Sequence, residues 1–501
     1  MSTTEESDQV LQRRANLDAL ARLGVDAYPR RFETTAAIVR VVADHGARSA
    51  KDLETERTVV RVAGRILAIR GFGKATFLQL SDGRSRLQIY VRQDGVSERD
   101  FQVLRLLDIG DWVGIEGRLF RTRTDEFSVW ASSLVFLSKC LLPLPEKWHG
   151  LQDVETRYRQ RYLDLIVNPE SRQVFEVRSR VVAALRAFLD GQGFLEVETP
   201  MMQAMAGGAM ARPFVTHHNA LDMALYMRIA PELFLKRLTV GGVDRVYEIN
   251  RNFRNEGIST QHNPEFTMLE FYWTYADYDD LMGLTEQMLQ QVALASIGTD
   301  ACTFGETVIS FRPPFRRLSM REAARAALAE RLGSPVSDAD LRSRETAAAL
   351  ASRVGISAGP AAGPGQITAA IFEALCEAEL VQPVFVYDFP TEVSPLSKQK
   401  ADDPETVERF ELYVAGFEVA NAFSELNDPV EQRRRFESQL QQRAGGDDEA
   451  HGMDEDYIRA LEYGLPPAGG EGIGIDRLVM VLANRPSIRD VILFPLMRPR
   501  S

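Results

Sequence analysis

The 501 residues include 71 Asp or Glu against 59 Lys or Arg, for a net charge of -12, and 45% are hydrophobic. This length predicts two or three domains with sizeable cores. No apolar run approaches the roughly 18 residues that span a membrane, and the acidic opening MSTTEESD is unlike a secretion or transit signal, so we expect a soluble, cytoplasmic protein. Three cysteines, Cys140, Cys302 and Cys376, lie far apart, which argues against a disulfide framework or a zinc site.

The first predicted element is a helix over residues 9–23, where apolar residues recur at helical spacing until Gly24 and Pro29 end the pattern. Residues 59–139 then contain five strand-like segments, a number and spacing typical of a small oligonucleotide-binding barrel. Thirteen Lys or Arg and nine Asp or Glu give residues 58–140 a local charge of +4, against -16 in the remainder. A basic module on an acidic body favours RNA binding at one place.

The second and third of these segments meet at Asp82-Gly83, and their apolar residues fix the pairing parity. With Leu78 and Leu80 inside the barrel, the outer face carries two aromatic rings and two amides: Phe77, Gln79, Gln88 and Tyr90. An exposed aromatic ring beside amides is how single-stranded bases are stacked and read. The alternative places Phe77 in the core, and the sequence leaves both interpretations open.

Residues 141–170 are rich in proline, charge and aromatic rings, which is typical of a linker. The helix predicted next has an apolar stripe made of Val174, Val177, Val181, Leu185 and Phe188. FLEVETP after it is predicted to be a strand that Pro200 stops. In the run AGGAMARPF (206–214), Gly207 and Gly208 suit either close approach to a ligand or a plain turn. Glu232 follows a proline at a predicted helix start, where capping is the simple interpretation.

Residues 245–273 predict two strands joined by a long polar loop. Alternation in the second strand places one set of side chains on one face and another set opposite: Phe266, Met268, Glu270 and Tyr272 against Thr267, Leu269, Phe271 and Trp273. The stretch also carries six titratable residues: Arg251, Arg254, Glu256, His262, Glu265 and Glu270. Unpaired charges that face a core cost several kcal/mol, which disfavours a bare scaffold.

Two interpretations of this hairpin are open. One is an exposed, salt-bridged pair of strands. The other is a nucleotide platform, in which Arg254 binds a phosphate and Phe266 stacks on the base. In that case Glu256, His262 and Asn263 form hydrogen bonds with the base or the phosphates.

Residues 280–375 are predicted to be helical and alanine-rich, with a loop at 357–366 and no chemical motif. ERFELYVAGFEVANAFSELND (408–428) then predicts a hairpin that turns at Ala415-Gly416. One face of this hairpin is expected to carry Glu411, Tyr413, Glu418 and Ala420.

Two carboxylates on one face, beside a nucleotide, suggest magnesium; two solvated glutamates on an edge strand are the alternative. Asn421, Phe423 and Glu425 have the opposite parity to Glu418, and a bulge near Ala420 would bring them to the same face.

The last motif is GGEGIGIDR (469–477). Gly470, Gly472 and Gly474 alternate on a predicted strand, and Asp476 is expected to cap a helix that begins at Arg477, whose N-terminus favours phosphate. The pattern is neither GxGxxG nor GxxxxGK[ST], which excludes dinucleotide-binding and P-loop interpretations.

FRNEG (253–257) followed by HNPEFTMLE (262–270) resembles the second motif of class II aminoacyl-tRNA synthetases and, more closely, the lysyl-tRNA synthetases. The resemblance covers nearly the whole chain, to the closing ILFP run. It implies an α+β fold, with an N-terminal oligonucleotide-binding β-barrel and a class II antiparallel β-sheet flanked by helices. The implied domains are a helical segment (1–57), an anticodon-binding barrel (58–140), a linker (141–170) and a catalytic domain (171–501) with a helical insertion at about 310–380.

The resemblance also implies site residues. The ATP-binding set is Arg254, Glu256, His262, Asn263, Phe266 and Arg477, of which Arg254 and Arg477 are catalytic. Arg477 is expected to contact the γ-phosphate and to cover the adenine opposite Phe266. The lysine-binding set is Gly208, Glu232, Glu270, Tyr272, Asn421, Phe423, Glu425 and Gly472, with Gly208 and Glu232 at the α-amino group. Glu411 and Glu418 are the implied ligands of Mg²⁺, of which up to three ions accompany ATP. Arg70, Phe77 and Gln88 are the implied anticodon contacts.

The implied reaction attaches L-lysine to tRNA(Lys) through a lysyl-adenylate, and the helix and strand over residues 174–200 imply a homodimer with no membrane partner. An anionic pocket of Glu270, Glu425 and Tyr272 suits an ammonium group, whereas an aspartate site needs a cation. Ala420 and Ala422 stand where the family commonly has glycine, and their methyl groups are expected to narrow the amino-acid pocket.

Three alternatives remain open. The first is an aspartyl- or asparaginyl-tRNA synthetase of the same subclass. The second is a paralogue that lysylates a protein such as elongation factor P, although such enzymes lack the N-terminal barrel. The third is a non-catalytic RNA-binding or regulatory protein, which would have lost Arg254, Glu411 or Arg477.

Overall fold

The computed structural model describes residues 7–145, 151–205, 207–208, 211–357, 359, 362–444 and 453–499. Parts of the N-terminal segment, the linker, the glycine run at 206–214 and the loop at 357–366 lie outside these residues. The chain forms two compact units, Met1–Arg172 and Gln173–Ser501. Among the described residues, no helix has both the length and the apolar character that crossing a membrane requires.

Three helices precede the strands of the first unit. The predicted helix at 9–23 is confirmed as α1 (Asp8–Arg22), whereas the sequence patterns do not predict α2 (Ile38–His45) or α3 (Ala50–Glu56). Helix α3 begins at a local signal, because the side chain of Ser49 accepts a hydrogen bond from the backbone N–H of Asp52.

The predicted barrel is confirmed. Its elements are β1 (Val59–Phe72), β2 (Ala75–Ser81), β3 (Arg86–Arg92), α4 (Glu98–Leu104), β4 (Trp112–Arg121) and β5 (Phe127–Ser138). The strands close in the order β1-β2-β3-β5-β4, and β4 pairs back onto β1. Leu78 lies opposite Ile89 and Leu80 opposite Leu87, with all four in the core. The pairing parity predicted from the apolar residues is therefore confirmed.

Two short helices, α5 (Val154–Arg159) and α6 (Arg161–Val167), follow in the first unit. Asp164 in α6 is fully buried and accepts hydrogen bonds from Arg157, Arg161 and Asn168. Burial raises the pKa of Asp164, but these hydrogen bonds outweigh it and hold the pKa below its ordinary value. The network therefore stabilises this segment with a charged carboxylate.

The second unit is built on a large sheet flanked by helices. Its elements begin with α7 (Pro169–Gly191), β6 (Leu195–Glu196), β7 (Met202–Gln203), β8 (Val215–His218), β9 (Met223–Met227), α8 (Glu232–Val240), β10 (Arg245–Phe253), β11 (Glu265–Thr274) and α9 (Tyr278–Ile297). The central part contains β12 (Ala301–Phe304), β13 (Thr307–Ser310), β14 (Arg316–Ser319), α10 (Met320–Leu332), α11 (Asp338–Arg342), α12 (Arg344–Arg353), α13 (Pro364–Leu375) and β15 (Val384–Pro390). The last part contains β16 (Thr406–Val414), β17 (Phe417–Ser424), α14 (Pro429–Ala444), α15 (Glu455–Glu462), β18 (Ala468–Gly474), α16 (Ile475–Leu482) and α17 (Ile488–Val491). Short 3-10 turns lie at Glu377–Glu379 and Thr391–Val393.

The eight strands of this sheet follow the order β14-β15-β16-β17-β18-β11-β10-β6. The pairs β14-β15 and β6-β10 are parallel, and the pairs between them are antiparallel. On one face, apolar residues such as Leu269, Phe271 and Ile473 pack with α7, α9 and α16 in the main core. Glu270 and Asn421 belong to the opposite, polar face. Helix α8 covers part of this face, where Leu235 packs against Val246 and Tyr272, and a cleft lies beside it.

Two predictions of secondary structure are wrong in part. Only Leu195–Glu196 of the predicted strand FLEVETP pairs with the sheet, because β6 meets β10 over just two residues and Pro200 cannot donate to a ladder. Residues 280–375 are not wholly helical, since the hairpin β12-β13 and strand β14 interrupt them. Helices α10 to α13 form a separate core with β15.

Candidate active site

The polar face of the sheet centres on the hairpin β10-β11. Its strands pair with Asn252 opposite Phe266 and Glu248 opposite Glu270. The face separation predicted from alternation is confirmed, because Leu269 and Phe271 lie in the main core while Phe266 and Met268 line a cleft on the other side. Alternating side chains therefore place the chemical groups of β11 together.

The space within the cleft is about 810 Å³, with the solvent at its open mouth included. It brings together the predicted ATP-binding residues Arg254, Glu256, His262, Asn263, Phe266 and Arg477. Three predicted residues from other strands also line it: Glu418, Asn421 and Gly472. Because these side chains come from β11, β17, β18, α16 and one loop, the cleft exists only in the folded sheet.

Arg254 lies over the aromatic plate that the sequence predicts. Its guanidinium carbon is 5.0 Å from the ring centre of Phe266. Its Nε is buried and has no hydrogen-bond partner in the part of the chain that the structure describes, and burial lowers the pKa of Arg254. An anionic ligand would satisfy this group.

Arg477 lines the same cleft. Its Nη1 donates to the carbonyl oxygen of Glu418 at 2.6 Å and lies 3.3 Å from a carboxylate oxygen of the same residue. Its Nη2 lies 3.4 Å from Nε2 of His262. Burial and the nearby Arg477 lower the pKa of His262, which favours a neutral ring that accepts a hydrogen bond.

The prediction that Asp476 caps the helix is wrong. Helix α16 begins at Ile475, so Asp476 lies in its first turn. The carboxylate accepts hydrogen bonds from Arg178 at 2.5 Å and from the backbone N–H of Thr267 at 2.7 Å. It ties α16 to α7 and β11, because a buried carboxylate takes the strongest donors within reach.

The glycines of β18 keep the polar face open between the two hairpins. A Cβ at Gly470 would clash with Glu425 and with the ring of Tyr272. A Cβ at Gly472 would lie 3.0 Å from Met268 and 3.7 Å from Glu270. These two glycines are therefore required for the side chains of neighbouring strands to meet above β18.

The predicted bulge in β17 is confirmed at Val419. Leu412 pairs with Ala420 but Tyr413 pairs with Glu418, which leaves Val419 as an extra residue. The bulge places Glu418 on the same face as Asn421 and Phe423.

The expected position of Ala420 on that face is wrong, since Ala420 and Ala422 pack in the main core. Ala420 nevertheless belongs to the lining of the cleft, and the effect of both residues on the amino-acid pocket stays a prediction.

Glu411 is buried next to Glu418 on this face. Its oxygens accept hydrogen bonds from Arg409 at 2.5 Å and from the hydroxyl of Tyr413 at 2.6 Å. Burial, with the like charge of Glu418 in addition, raises the pKa of Glu411 to about 7, although Arg409 opposes this shift.

Among the described residues, no group of three His, Cys, Asp or Glu side chains could hold a metal ion. Mg²⁺ commonly uses one or two carboxylates together with phosphates and water, so Glu411 and Glu418 fit an ion that arrives with ATP.

The predicted lysine-binding carboxylates, those of Glu232, Glu270 and Glu425, lie close to one another. Glu232 begins α8 and forms no capping bond; its carboxylate binds Lys236 instead. Lys236 also lies 2.5 Å from Glu425. Glu270 is 5% exposed, and its carboxylate forms no hydrogen bond or ion pair with a described residue. Burial raises the pKa of Glu270 well above its ordinary value, and Glu232 adds to the shift.

Three further members of this set lie around these carboxylates. Tyr272 is buried, and burial raises the pKa of its hydroxyl. The ring of Phe423 faces the ammonium group of Lys236 at 5.2 Å. Gly208 has φ +91°, and a Cβ there would lie 3.4 Å from the Cβ of Glu232. The structure therefore brings Gly208 next to Glu232, as the resemblance implies.

The three predicted anticodon contacts lie on the outer face of the barrel. Arg70 is exposed and pairs across the strands with Phe77. Phe77 is half-buried and its ring centre lies 4.9 Å from that of Tyr90, with the two rings tilted by 38°, so its assignment to the core is wrong. Gln88 donates to the hydroxyl of Ser128 at 2.9 Å. This surface offers an aromatic face beside polar groups.

Sequence reasoning missed the cations that hold the polar face together. Lys236 pairs with Glu232 and Glu425, and Arg409 holds both Glu411 and the amide oxygen of Asn421. Lys236 carries a readable signal, because it lies four residues after Glu232 on one helix. Arg409 carries none that separates it from a surface arginine.

Comparison with known proteins gives two family matches and many relatives. Residues 153–498 match the family described as "tRNA synthetases class II (D, K and N)", and residues 60–137 match "OB-fold nucleic acid binding domain". A relative from Pelotomaculum thermopropionicum, named "Lysine--tRNA ligase", is 55% identical over 97% of this chain and 94% of its own length. Relatives with the same name from Carboxydothermus hydrogenoformans and Moorella thermoacetica are 53% and 52% identical, each over 100% of both chains.

Proposed function

This chain belongs to the class II tRNA synthetases of the D, K and N type, and on that premise we propose that it attaches L-lysine to its tRNA with ATP. The observation that carries the choice of amino acid is the group of three buried carboxylates, Glu232, Glu270 and Glu425, beside the cleft. These carboxylates attract the ammonium groups of lysine and repel an aspartate side chain. The full-length relatives named "Lysine--tRNA ligase" support the same substrate.

In the first step, the carboxylate of lysine attacks the α-phosphorus of ATP, and pyrophosphate leaves. Negative charge increases on the α-phosphoryl oxygens, and Arg254, with its unpartnered Nε, is suited to stabilise it. Phe266 and Arg477 supply an aromatic face and a planar cation for the adenine and the γ-phosphate. Glu256, His262 and Asn263 then form hydrogen bonds with the base or phosphates.

In the second step, a hydroxyl of the terminal adenosine of the tRNA attacks the lysyl carbonyl carbon, and AMP leaves. Neither step requires a nucleophilic side chain of the protein. The contribution of the chain is therefore to position the reactants and to stabilise charge.

Mg²⁺ would be held by Glu411 and Glu418, whose donor set suits an ion that also binds phosphates. When bound, it neutralises phosphate charge. Arg409 and Tyr413 hold the carboxylate of Glu411 in place by hydrogen bonds of 2.5 and 2.6 Å.

The amino-acid pocket combines the carboxylates with smaller groups. Gly208 and Glu232 bind the α-amino group, and Tyr272 with Glu425 receives the ε-ammonium group. The remaining proposed members of the pocket are Glu270, Asn421, Phe423 and Gly472.

The tRNA is read by the outer face of the barrel, where Arg70, Phe77 and Gln88 are the proposed contacts with the anticodon. We further place the enzyme in the cytoplasm, where translation uses its product, and assign it a homodimeric assembly by analogy with the family.

Amino-acid-dependent exchange between ATP and pyrophosphate tests this function. We expect exchange with lysine and none with aspartate or asparagine. Exchange with aspartate instead would overturn the assignment. The R254A variant should lose about 10²–10³-fold in exchange rate, with tRNA binding preserved. A wild-type exchange rate in R254A would contradict the proposed role of Arg254 in the cleft.

A further inference from the structure

Lys236 is an internal cation between two carboxylates of the proposed lysine pocket. Its Nζ lies 2.5 Å from Oε1 of Glu232 and 2.5 Å from Oε2 of Glu425. Its side chain is fully buried. A fixed ammonium group in a pocket for ammonium groups competes with the substrate for charge, so its presence requires a physical reason.

The charges of the pocket supply that reason. Glu232, Glu270 and Glu425 carry three negative charges when ionised, and Lys236 reduces the sum to two. A lysine substrate brings two ammonium groups, while its carboxylate must reach the cleft that holds Arg254. The net charge of the pocket with Lys236 therefore balances the two ammonium groups, and without Lys236 the pocket would hold one uncompensated buried carboxylate, which is strongly unfavourable.

The polar groups around Lys236 also retain bonding capacity for a ligand. Oε1 of Glu425 and the hydroxyl of Tyr457 are buried and form no hydrogen bond within the described residues. Glu270 likewise has no partner among them. Buried polar groups in folded proteins are generally hydrogen-bonded, so a group of unsatisfied ones around one ion pair indicates a site that a ligand completes.

We propose that Lys236 is a positioning residue for lysine selection. The proposal rests on the function proposed above. Lys236 neutralises one of the three carboxylates and holds Glu232 and Glu425, which lie far apart in the sequence, in one orientation. The two remaining negative charges then match the two ammonium groups of the substrate.

Several charged and titratable groups face Lys236 and its partners. They are Glu232 on α8, Glu425 after β17, Glu270 and Tyr272 on β11, Tyr457 on α15 and Arg409 on β16. Burial raises the pKa of Glu425 to about 8, Lys236 opposes this shift, and Glu232 adds to it. Removal of Lys236 should therefore raise the pKa of Glu425 further.

The test is pyrophosphate exchange by the full chain, with lysine and ATP varied separately from pH 6.5 to 9.5. In K236M we expect the KM for lysine at pH 7 to rise at least about tenfold, with the KM for ATP within about threefold of wild type. The rise of kcat/KM for lysine with pH should move to higher pH, because Glu425 must lose its proton to bind an ammonium group.

K236R keeps the positive charge and serves as the second variant if K236M does not fold. It should keep the pH profile of the wild type and a KM for lysine within about fivefold. The matched control is K139M, which removes another buried lysine held by two carboxylates but lies in the first unit. It should leave the KM for lysine unchanged.

An unshifted pH profile and an unchanged KM for lysine in folded K236M overturn the proposal. A folded K236R whose KM for lysine rises tenfold or more also overturns it, because packing rather than charge would then be decisive. Failure of the wild type to exchange with lysine contradicts the proposed function itself, so the two failures are distinct.

Discussion

Two buried lysines of this protein are each held between two carboxylates, and they differ in how far their surroundings are satisfied. Lys139 in the first unit pairs with Asp108 at 2.5 Å and Asp111 at 2.8 Å and donates to the carbonyl of Leu106 at 3.3 Å. Asp111 also accepts hydrogen bonds from the backbone N–H groups of Asp108 and Cys140. The three donors of the ammonium group and both oxygens of Asp111 are thus in use.

Lys236 in the second unit forms a similar pair of ion pairs, yet its neighbours keep unused capacity. Oε1 of Glu425 and the hydroxyl of Tyr457 have no partner within the described residues. A satisfied buried network stabilises a fold, whereas an unsatisfied one lowers stability and is retained where a ligand completes it. The two lysines therefore differ in the hydrogen-bonding capacity that remains on the polar groups around them, and not in their ion pairs.

The largest effect is expected when the carboxylate of Glu425 in the proposed lysine pocket is replaced by an amide. E425Q should lower kcat/KM for lysine by about 10³-fold, close to 4 kcal/mol, because a buried partner of the substrate ammonium group loses its charge. Its free energy of unfolding should change by less than about 1 kcal/mol, since Glu232 still pairs with Lys236. Exchange kinetics and urea unfolding measure the two quantities. A normal KM for lysine would contradict the pocket assignment.

K139M tests whether Lys139 stabilises the first unit. We expect its free energy of unfolding to fall by about 3 kcal/mol, because Asp108 and Asp111 then lie without their cation. Fluorescence of Trp112 and Trp130, both in the barrel, follows this loss during urea unfolding. Unchanged stability would show that the satisfied network contributes little.

The smallest effect is expected at a third buried group, Glu471. Glu471 faces the helices below β18; its Oε2 accepts a hydrogen bond from Thr285 at 2.6 Å, and its Oε1 has no partner among the described residues. Burial raises the pKa of Glu471 from 4.5 to about 8. The native state thus keeps a proton that the unfolded state releases between these values, so the stability from this group is present below pH 4.5 and is lost as the pH rises through 8.

E471Q removes this dependence, because the amide does not titrate. We expect the variant to exceed the wild type in free energy of unfolding by about 2 kcal/mol at pH 6 and to match it at pH 4. Urea unfolding at both pH values checks the difference. Equal stabilities at pH 6 would mean that the pKa of Glu471 is not raised in the native state, as for a solvated carboxylate.

Local patterns carried most of the fold and part of the site. Alternation placed Phe266, Met268 and Glu270 on one face, and apolar parity set the register of β2 and β3, because both depend on neighbouring residues along one strand. Resemblance to a known family supplied roles for residues such as Arg477, whose surroundings no local pattern describes.

The sequence by itself thus determined the strands, the barrel and the candidate nucleotide residues. Tertiary structure alone decided that Lys236 reaches Glu425 and that Asp476 binds Arg178 instead of capping its helix. Each of these contacts joins residues on different elements or depends on strand register. Such contacts follow from how the elements pack, since a buried charge takes the partner that packing brings within reach.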